Sequence, residues 1–467
     1  MKKSFIIYLF LTLSVVLYAQ QHRIKVACIG NSITYGYGLP DRATQSYPVQ
    51  LQKMLGESYQ VENFGKSGAT LLNKGHRPYM QQDEYHRAID FAGDIVVIHL
   101  GINDTDPRDW PDYRDFFVKD YIALIDSFRV ANPEARIMIA RLTPIADRHP
   151  RFLSGTRDWH GEIQLAIENV ACYAGVQLID FHKPLYPYPF MLTDAVHPDP
   201  EGAFVLAQTV YSAITGDYGG LKMPLLYTDN MVLQREVPLT IQGTANAGDQ
   251  VTVSIADRQM KTKVGPNGKW SVTLPPLKAG EPYTLKISTN QKVLQYHNVL
   301  AGEVWLCSGQ SNMEMTMKGN MGQPIDHSLE TLLNAGNYRD RIRFITVPRT
   351  KGVKERADFE GAKWEVSSPE TTMDCSAAGY FFAKQLTETL HLPVGLVINS
   401  WGGSRIEAWM TEETLASVEG ANIEAAKNPK LDTNSRLQCL YNIMLLPVKN
   451  YTARGFLWYQ GESNIFN

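Results

Sequence analysis

Ile24-Lys25-Val26-Ala27-Cys28-Ile29-Gly30-Asn31-Ser32-Ile33-Thr34 changes character halfway along. The first six residues are a short, mostly apolar run, the pattern of a strand buried on both faces. A glycine and two polar residues follow, so a serine is delivered where that strand ends. Asp94–Leu100, Arg136–Ala140 and Val176–Ile179 are runs of the same kind. Between them Tyr47–Leu55, Tyr113–Val130 and Arg157–Ala174 carry helical spacing, the second stopping before Asn132-Pro133. Strands alternating with helices need crossover connections, which gives a parallel sheet covered on both faces. An α/β/α domain is therefore expected over residues 21–218.

The pattern changes beyond Thr215. Gly216, Gly219, Gly220 and Pro224 form a linker, and helical periodicity disappears. Val237–Gln242, Gln250–Ile255, Lys269–Leu274 and Tyr283–Ser288 alternate as half-exposed strands. Turn signals such as Ala247-Gly248-Asp249 and Pro266-Asn267-Gly268 separate them, so a small β-sandwich is expected over 222–300. From residue 301 the α/β character returns, with strands expected at Glu303–Leu306, Val394–Ile398 and Gly455–Tyr459.

Composition bounds the function. The 467 residues are 44% hydrophobic and 20% charged, which fits folded domains and argues against disorder or a fibrous array. A net charge of −3 offers no basic excess for nucleic acid. Five separated cysteines with no C-x-x-C pair exclude a zinc ribbon, and no metal ligand set is expected. No P-loop, dinucleotide fingerprint or His-Glu-x-x-His motif occurs, so no cofactor is expected either. Lys2 and Lys3 precede an apolar run from Phe5 to Tyr18 that ends in Ala19-Gln20-Gln21. Residues 1–20 read as a secretory signal peptide, too short for a stable membrane span, and the mature chain is expected to be exported to the periplasm or medium.

Four polar signals fall in order at expected strand ends. They are Gly30-Asn31-Ser32, Asn63-Phe64-Gly65-Lys66-Ser67-Gly68, Gly101-Ile102-Asn103-Asp104 and Asp194-Ala195-Val196-His197. Each residue alone is an ordinary turn residue. As an ordered series they resemble the SGNH (GDSL-type) hydrolases, which implies a flavodoxin-like α/β/α fold. The resemblance makes Ser32 the nucleophile, His197 its base and Asp194 the orienting acid. Ser32 and Gly68 amides, with the Asn103 side chain, would form the oxyanion hole. Gly30-Asn31-Ser32 departs from the commoner Gly-Asp-Ser, so any contribution of that acidic residue is missing. His99, inside an apolar strand, reads as a buried structural histidine.

A second series starts at Gly302-Glu303-Val304-Trp305-Leu306-Cys307-Ser308-Gly309-Gln310-Ser311-Asn312-Met313. Asn399-Ser400-Trp401-Gly402-Gly403-Ser404-Arg405 and Trp458-Tyr459-Gln460-Gly461-Glu462-Ser463-Asn464 follow. These look like the sialate O-acetylesterase family, and Asn230-Met231-Val232-Leu233-Gln234-Arg235 is similar to the start of that family's β module. The resemblance implies Ser311 as nucleophile, a Gly402–Gly403 amide and Gln460 as oxyanion donors, and a partial second SGNH-like domain over 301–467. Arg405 would bind a sugar-acid carboxylate or pair with Glu407. The family pattern then needs an Asp-x-x-His. After Ser311 the only histidines are His327 and His391, and neither follows an Asp by three residues. The second set is incomplete, as in a C-terminally truncated module.

The reading is an exported carbohydrate esterase that hydrolyses O-acetyl esters, with an O-acetylated glycan or sialic acid as its partner. Two alternatives stand beside it: a GDSL acetylesterase or lysophospholipase of broader specificity, and a non-catalytic glycan-binding protein.

Overall fold

The computed structural model describes residues 23–146, 148–150, 156–320, 322–350, 352 and 355–465. The expected leader over 1–20 lies outside the described residues. The chain divides between Thr215 and Gly216 into two compact units.

The first unit is built on five parallel strands: β1 (Ile24–Gly30), β2 (Tyr59–Gly65), β3 (Ile95–His99), β4 (Arg136–Arg141) and β5 (Gln177–Asp180). Their order is β2-β1-β3-β4-β5, the doubly wound arrangement in which connections leave β1 in opposite directions. Val26, Ala27, Cys28 and Ile29 are fully buried because β1 is central and covered on both faces. The helices are α1 (Ser32–Tyr35), α2 (Tyr47–Leu55), α3 (Asp83–Phe91), α4 (Phe117–Ala131), α5 (Thr156–Ala174) and α6 (Pro200–Thr215). α2 packs on α6, and α4 packs on α3 and α5, giving a helical layer on each face. The helix expected over Tyr113–Val130 is broken: Trp110–Tyr113 and the 3-10 turn Arg114–Phe116 precede α4. β2 and α3 carry weak apolar signals because both are half exposed; the sequence reading places a strand end at Asn63–Gly68 without an apolar run before it, and it does not single out α3.

In the second unit β7 (Leu239–Thr244) pairs with β10 (Lys269–Leu274), while β6 (Val232–Gln234), β8 (Gln250–Ile255), β9 (Arg258–Lys263), β11 (Tyr283–Ser288) and β12 (Val293–Gly309) lie in another sheet. Ile241, Trp270 and Val272 from the first sheet share one core with Val251, Val253 and Ile287 from the second, which makes a sandwich. The expected boundary at 300/301 falls inside β12. The first half of this strand runs antiparallel to β11, and its second half runs parallel to β15 (Val394–Ser400) and β16 (Gly455–Tyr459). β13 (Ile342–Thr346) adds to β15 in parallel, and α8 (Ala377–Leu390) packs on β15. The sandwich and the α/β part are thus one unit. The Asn230–Arg235 motif staples it: Gln234 Oε1 accepts from Val304 N at 2.8 Å, and Arg235 Nε donates to the buried Glu303 at 2.6 Å.

Among the described residues no helix is long and apolar enough to cross a membrane. All five cysteines are free; Cys172 is exposed and the others are buried.

Candidate active site

In a doubly wound sheet the crevice outside the carboxyl ends of the strands is where ligands gather. β1 ends at Gly30, and α1 begins two residues later. Asn31 caps this helix, its Oδ1 accepting from Ile33 N at 2.9 Å while its Nδ2 donates to His99 O at 3.4 Å. A carboxylate could accept the first bond but could not donate the second, so Asn31 ties the nucleophile turn to β3 in a way an aspartate would not. Ser32, at 7% exposure, opens the helix, where main-chain N–H groups have no intrahelical partner.

The loop between β5 and α6 supplies the other two side chains. Thr193 N donates to His197 O at 3.0 Å and Ala195 N to Leu192 O at 3.0 Å, closing a tight turn with Ala195 at φ 76°. His197 Nε2 lies 2.8 Å from Ser32 Oγ, and His197 Nδ1 lies 2.6 Å from Asp194 Oδ2. Asp194 Oδ1 also accepts from the main-chain N–H of Val196 (3.1 Å) and His197 (2.8 Å). Burial alone would raise the Asp194 carboxyl, but the hydrogen bonds from the main chain and ring of His197 outweigh it and hold the group below its ordinary value. The Tyr37 ring rests against His197, centroids 4.8 Å apart.

The residues expected on the oxyanion side follow β2 and β3, and the first of them lie on a strap after β2. Lys66 N donates to Gly30 O, which fastens its start beside β1. Gly68 sits at φ 78°, a conformation that favours glycine. Asn103 Nδ2 donates to Ala69 O at 2.9 Å, using one amide hydrogen and leaving a second for a ligand. The neighbouring Asp104 is fully buried and accepts from Leu71 N (2.9 Å) and Leu72 N (2.8 Å). Burial pushes its carboxyl up to about 7 against the lowering effect of those two bonds. Asp109, also buried, accepts from His76 N at 2.8 Å and meets His76 Nδ1 at 2.6 Å. The residues after β3 therefore clamp the strap after β2.

Sequence reasoning brought forward Ser32, Asp194 and His197, and the structure joins all three. Tyr37, Arg77, Asp104 and Asp109 escaped it. Asp104 stood in the quoted Gly101–Asp104 block, and its place directly after Asn103 was the one available signal. His99 is a fully buried structural group: its Nε2 accepts from Thr143 N at 3.3 Å, and burial lowers it to about 3.

The second set of residues comes together differently. Ser311 opens the short helix α7 (Ser311–Glu314) after β12, and a side chain on Gly402 would stand 3.8 Å from Ser311 Cβ. Two of the expected oxyanion donors are engaged within the chain. The Gly402 N–H donates to the Glu314 carboxylate, which also pairs with Arg349. Gln460 Nε2 spends its hydrogens on Ser404 O (3.1 Å) and Asn464 Oδ1 (2.7 Å). Gly403 forms a turn at φ 68°. Among the described residues Arg405 forms no ion pair with Glu407, whose Oε2 accepts from Asn464 Nδ2 at 2.9 Å, and no histidine bonds to Ser311.

A doubly wound sheet with this serine, histidine and aspartate at its carboxyl edge has the arrangement expected of the SGNH type. Comparison with known proteins agrees: residues 28–203 match the GDSL-like lipase/acylhydrolase family, and residues 301–467 match a carbohydrate esterase family of sialic acid-specific acetylesterases. The chain carries a domain of the first family followed by a module of the second. It is 34% identical over 266 residues to the human sialate O-acetylesterase, covering 53% of this chain and 49% of that relative. An acetylxylan esterase from Xylanibacter ruminicola is 37% identical over 211 residues, 42% of this chain and 44% of that protein. A solved carbohydrate acetylesterase from Xanthomonas citri is 33% identical with a TM-score of 0.46, covering 52% of each chain. The chain spans about half the length of the curated relatives it matches.

Proposed function

We propose that this protein is an exported serine esterase that removes O-acetyl groups from sugars, sialic acids foremost, with its working site at Ser32. The observation that carries this reading is the unbroken hydrogen-bonded chain Ser32–His197–Asp194. His197 Nε2 takes the Ser32 proton as Oγ attacks the acetyl carbonyl carbon. The resulting oxyanion is received by the Ser32 and Gly68 amides and the remaining Asn103 amide hydrogen. Collapse breaks the bond to the sugar oxygen, which leaves with the proton from His197. Water, deprotonated by His197, then attacks the acetyl-serine and releases acetate. Asp194 stays ionised throughout and supports the imidazolium.

The sialic acid preference is supported by the family matched over residues 301–467 and by the relatives named sialate O-acetylesterase. The relative named acetylxylan esterase favours a second reading, deacetylation of neutral glycans. Export rests on the leader-like residues 1–20, and amino-terminal sequencing of the protein from medium or periplasm tests it. The deciding assay is acetate release from O-acetylated sialoglycans beside acetylated xylan and a phospholipid. Release from sialoglycans that disappears in Ser32→Ala supports the proposal; release from neither glycan overturns it.

A further inference from the structure

The strap that carries Gly68 also carries an arginine in an unusual position. Arg77 Nη1 donates to Ser67 O at 3.0 Å, and its chain covers the face of Gly68 on which a side chain would stand: a Cβ there would lie 3.3 Å from Nη1 and 3.5 Å from Cδ. A guanidinium is thus fixed beside an expected oxyanion donor.

Its position is built, not incidental. Thr70 N donates to Arg77 O at 2.9 Å, and Tyr79 N to Thr70 O at 2.9 Å, so residues 77–79 are laced to the strap. The preceding residue, His76, is gripped at both its main chain and its ring by buried Asp109. That grip occupies both Asp109 oxygens, and Glu84 is paired with Lys66. Arg77 itself is exposed and meets no carboxylate among the described residues. One of its five N–H donors is used internally, and the others are available in a planar fork. A desolvated arginine in the core would need a partner from the chain; this exposed one keeps donors free for a partner from outside.

Tyr37 is 54% exposed with its ring against His197, the partner of the nucleophile. An aromatic face at the histidine and a guanidinium at the oxyanion strap match two features of an acidic sugar: an apolar ring face and a carboxylate. We infer that Arg77 binds the carboxylate of an acetylated sugar acid while its ester lies at Ser32. The inference rests on the serine-esterase reading, and it moves the recognition of the acid group into the first unit, away from Arg405.

The test removes the charge from either partner. Acetate release by the full chain is measured on an O-acetylated sialic acid and on its carboxyl methyl ester. The wild type is expected to show a KM about tenfold higher for the methyl ester, the size of one charge-assisted contact at a partly exposed site. In Arg77→Gln the ratio of the two KM values should fall to about one, and Arg77→Lys should keep a ratio of about three. Arg405→Gln should leave the tenfold ratio in place. A ratio near one in the wild type, or a ratio that survives Arg77→Gln and vanishes in Arg405→Gln, overturns the inference while leaving the esterase reading intact. Binding of free N-acetylneuraminate and its methyl ester, followed by calorimetry, separates the two readings. Carboxylate- and Arg77-dependent binding without acetate release retains the inference and rejects the esterase, and absence of both rejects both.

Discussion

In the proposed reaction everything at Ser32 depends on where one proton goes. The hydroxyl is a weak nucleophile until His197, 2.8 Å away, accepts its proton. Ser32→Ala is therefore expected to lower acetate release by at least about 10³-fold, measured as kcat on purified protein, because the oxyanion donors cannot attack. Asp194→Asn retains the shape of the turn but not the carboxylate at Nδ1, and a loss of roughly 10²–10⁴-fold in kcat is expected. The pH dependence follows from the same pair. Asp194 is held below the ordinary carboxylate value, so it remains charged as pH falls toward about 4 and its titration does not shape the rate above that. The base must be neutral to accept the serine proton, so protonating it stops the reaction. The profile of kcat/KM should fall on acidification; a flat profile would contradict a histidine base. These three residues were legible because Gly-x-Ser and Asp-x-x-His fix chemistry by local spacing. Arg77 and Tyr37 were not, since nothing in an exposed arginine or tyrosine says which loop lies under it.

At the scale of elements, the strap Ser67–Tyr79 buries Ala69, Leu71, Leu72 and Tyr79 in the core and is held besides by carboxylates that follow β3. Asp104→Ala would leave the Leu71 and Leu72 N–H groups buried without an acceptor, each costing about 1–3 kcal/mol. A lower denaturation midpoint of the first unit and a fall in kcat together are the expected result. The sign of its pH effect is fixed by the upward displacement to about 7. Folding favours the neutral acid, so this contribution is full below the ordinary value near about 4 and is lost as pH rises through 7. Asp104→Asn should flatten the stability curve between those limits, although it lowers the curve as a whole by offering one acceptor to two donors. Gly68→Ala tests the other end of the strap: a positive φ costs an L-residue about 1–2 kcal/mol, and the new Cβ meets Arg77 at 3.3 Å. Most strands of the first unit were legible as apolar runs. β2 and α3 were not, because an edge strand and a half-exposed helix carry too few buried residues to set a period.

At the scale of the whole molecule, two serines follow central strands in the same manner, yet their surroundings differ. β1 and β12 each end in a glycine, pass one polar residue and open a one-turn helix on serine. That likeness was readable in the sequence. The continuity of β12 through the sandwich and the α/β part was not, since its first half alternates and its second half is buried, two patterns that read as separate elements. In the proposed mechanism the difference between the serines decides which one works. Ser32 has a base at hydrogen-bond distance; Ser311 has no histidine among the described residues, and the nearby Gly402 N–H is taken by the Glu314 carboxylate. A negative carboxylate on that amide opposes a developing oxyanion, and loss of a base costs several orders of magnitude in rate. Ser311→Ala in the 467-residue chain should therefore leave total acetate release within about twofold of wild type, whereas Ser32→Ala abolishes it. Glu314→Ala gives the complementary check: freeing Gly402 without supplying a base should not raise turnover in the Ser32→Ala background. If Ser311→Ala alone removes deacetylation of sialic acid, the reaction belongs to the second unit, and the assignment of the working site to Ser32 fails.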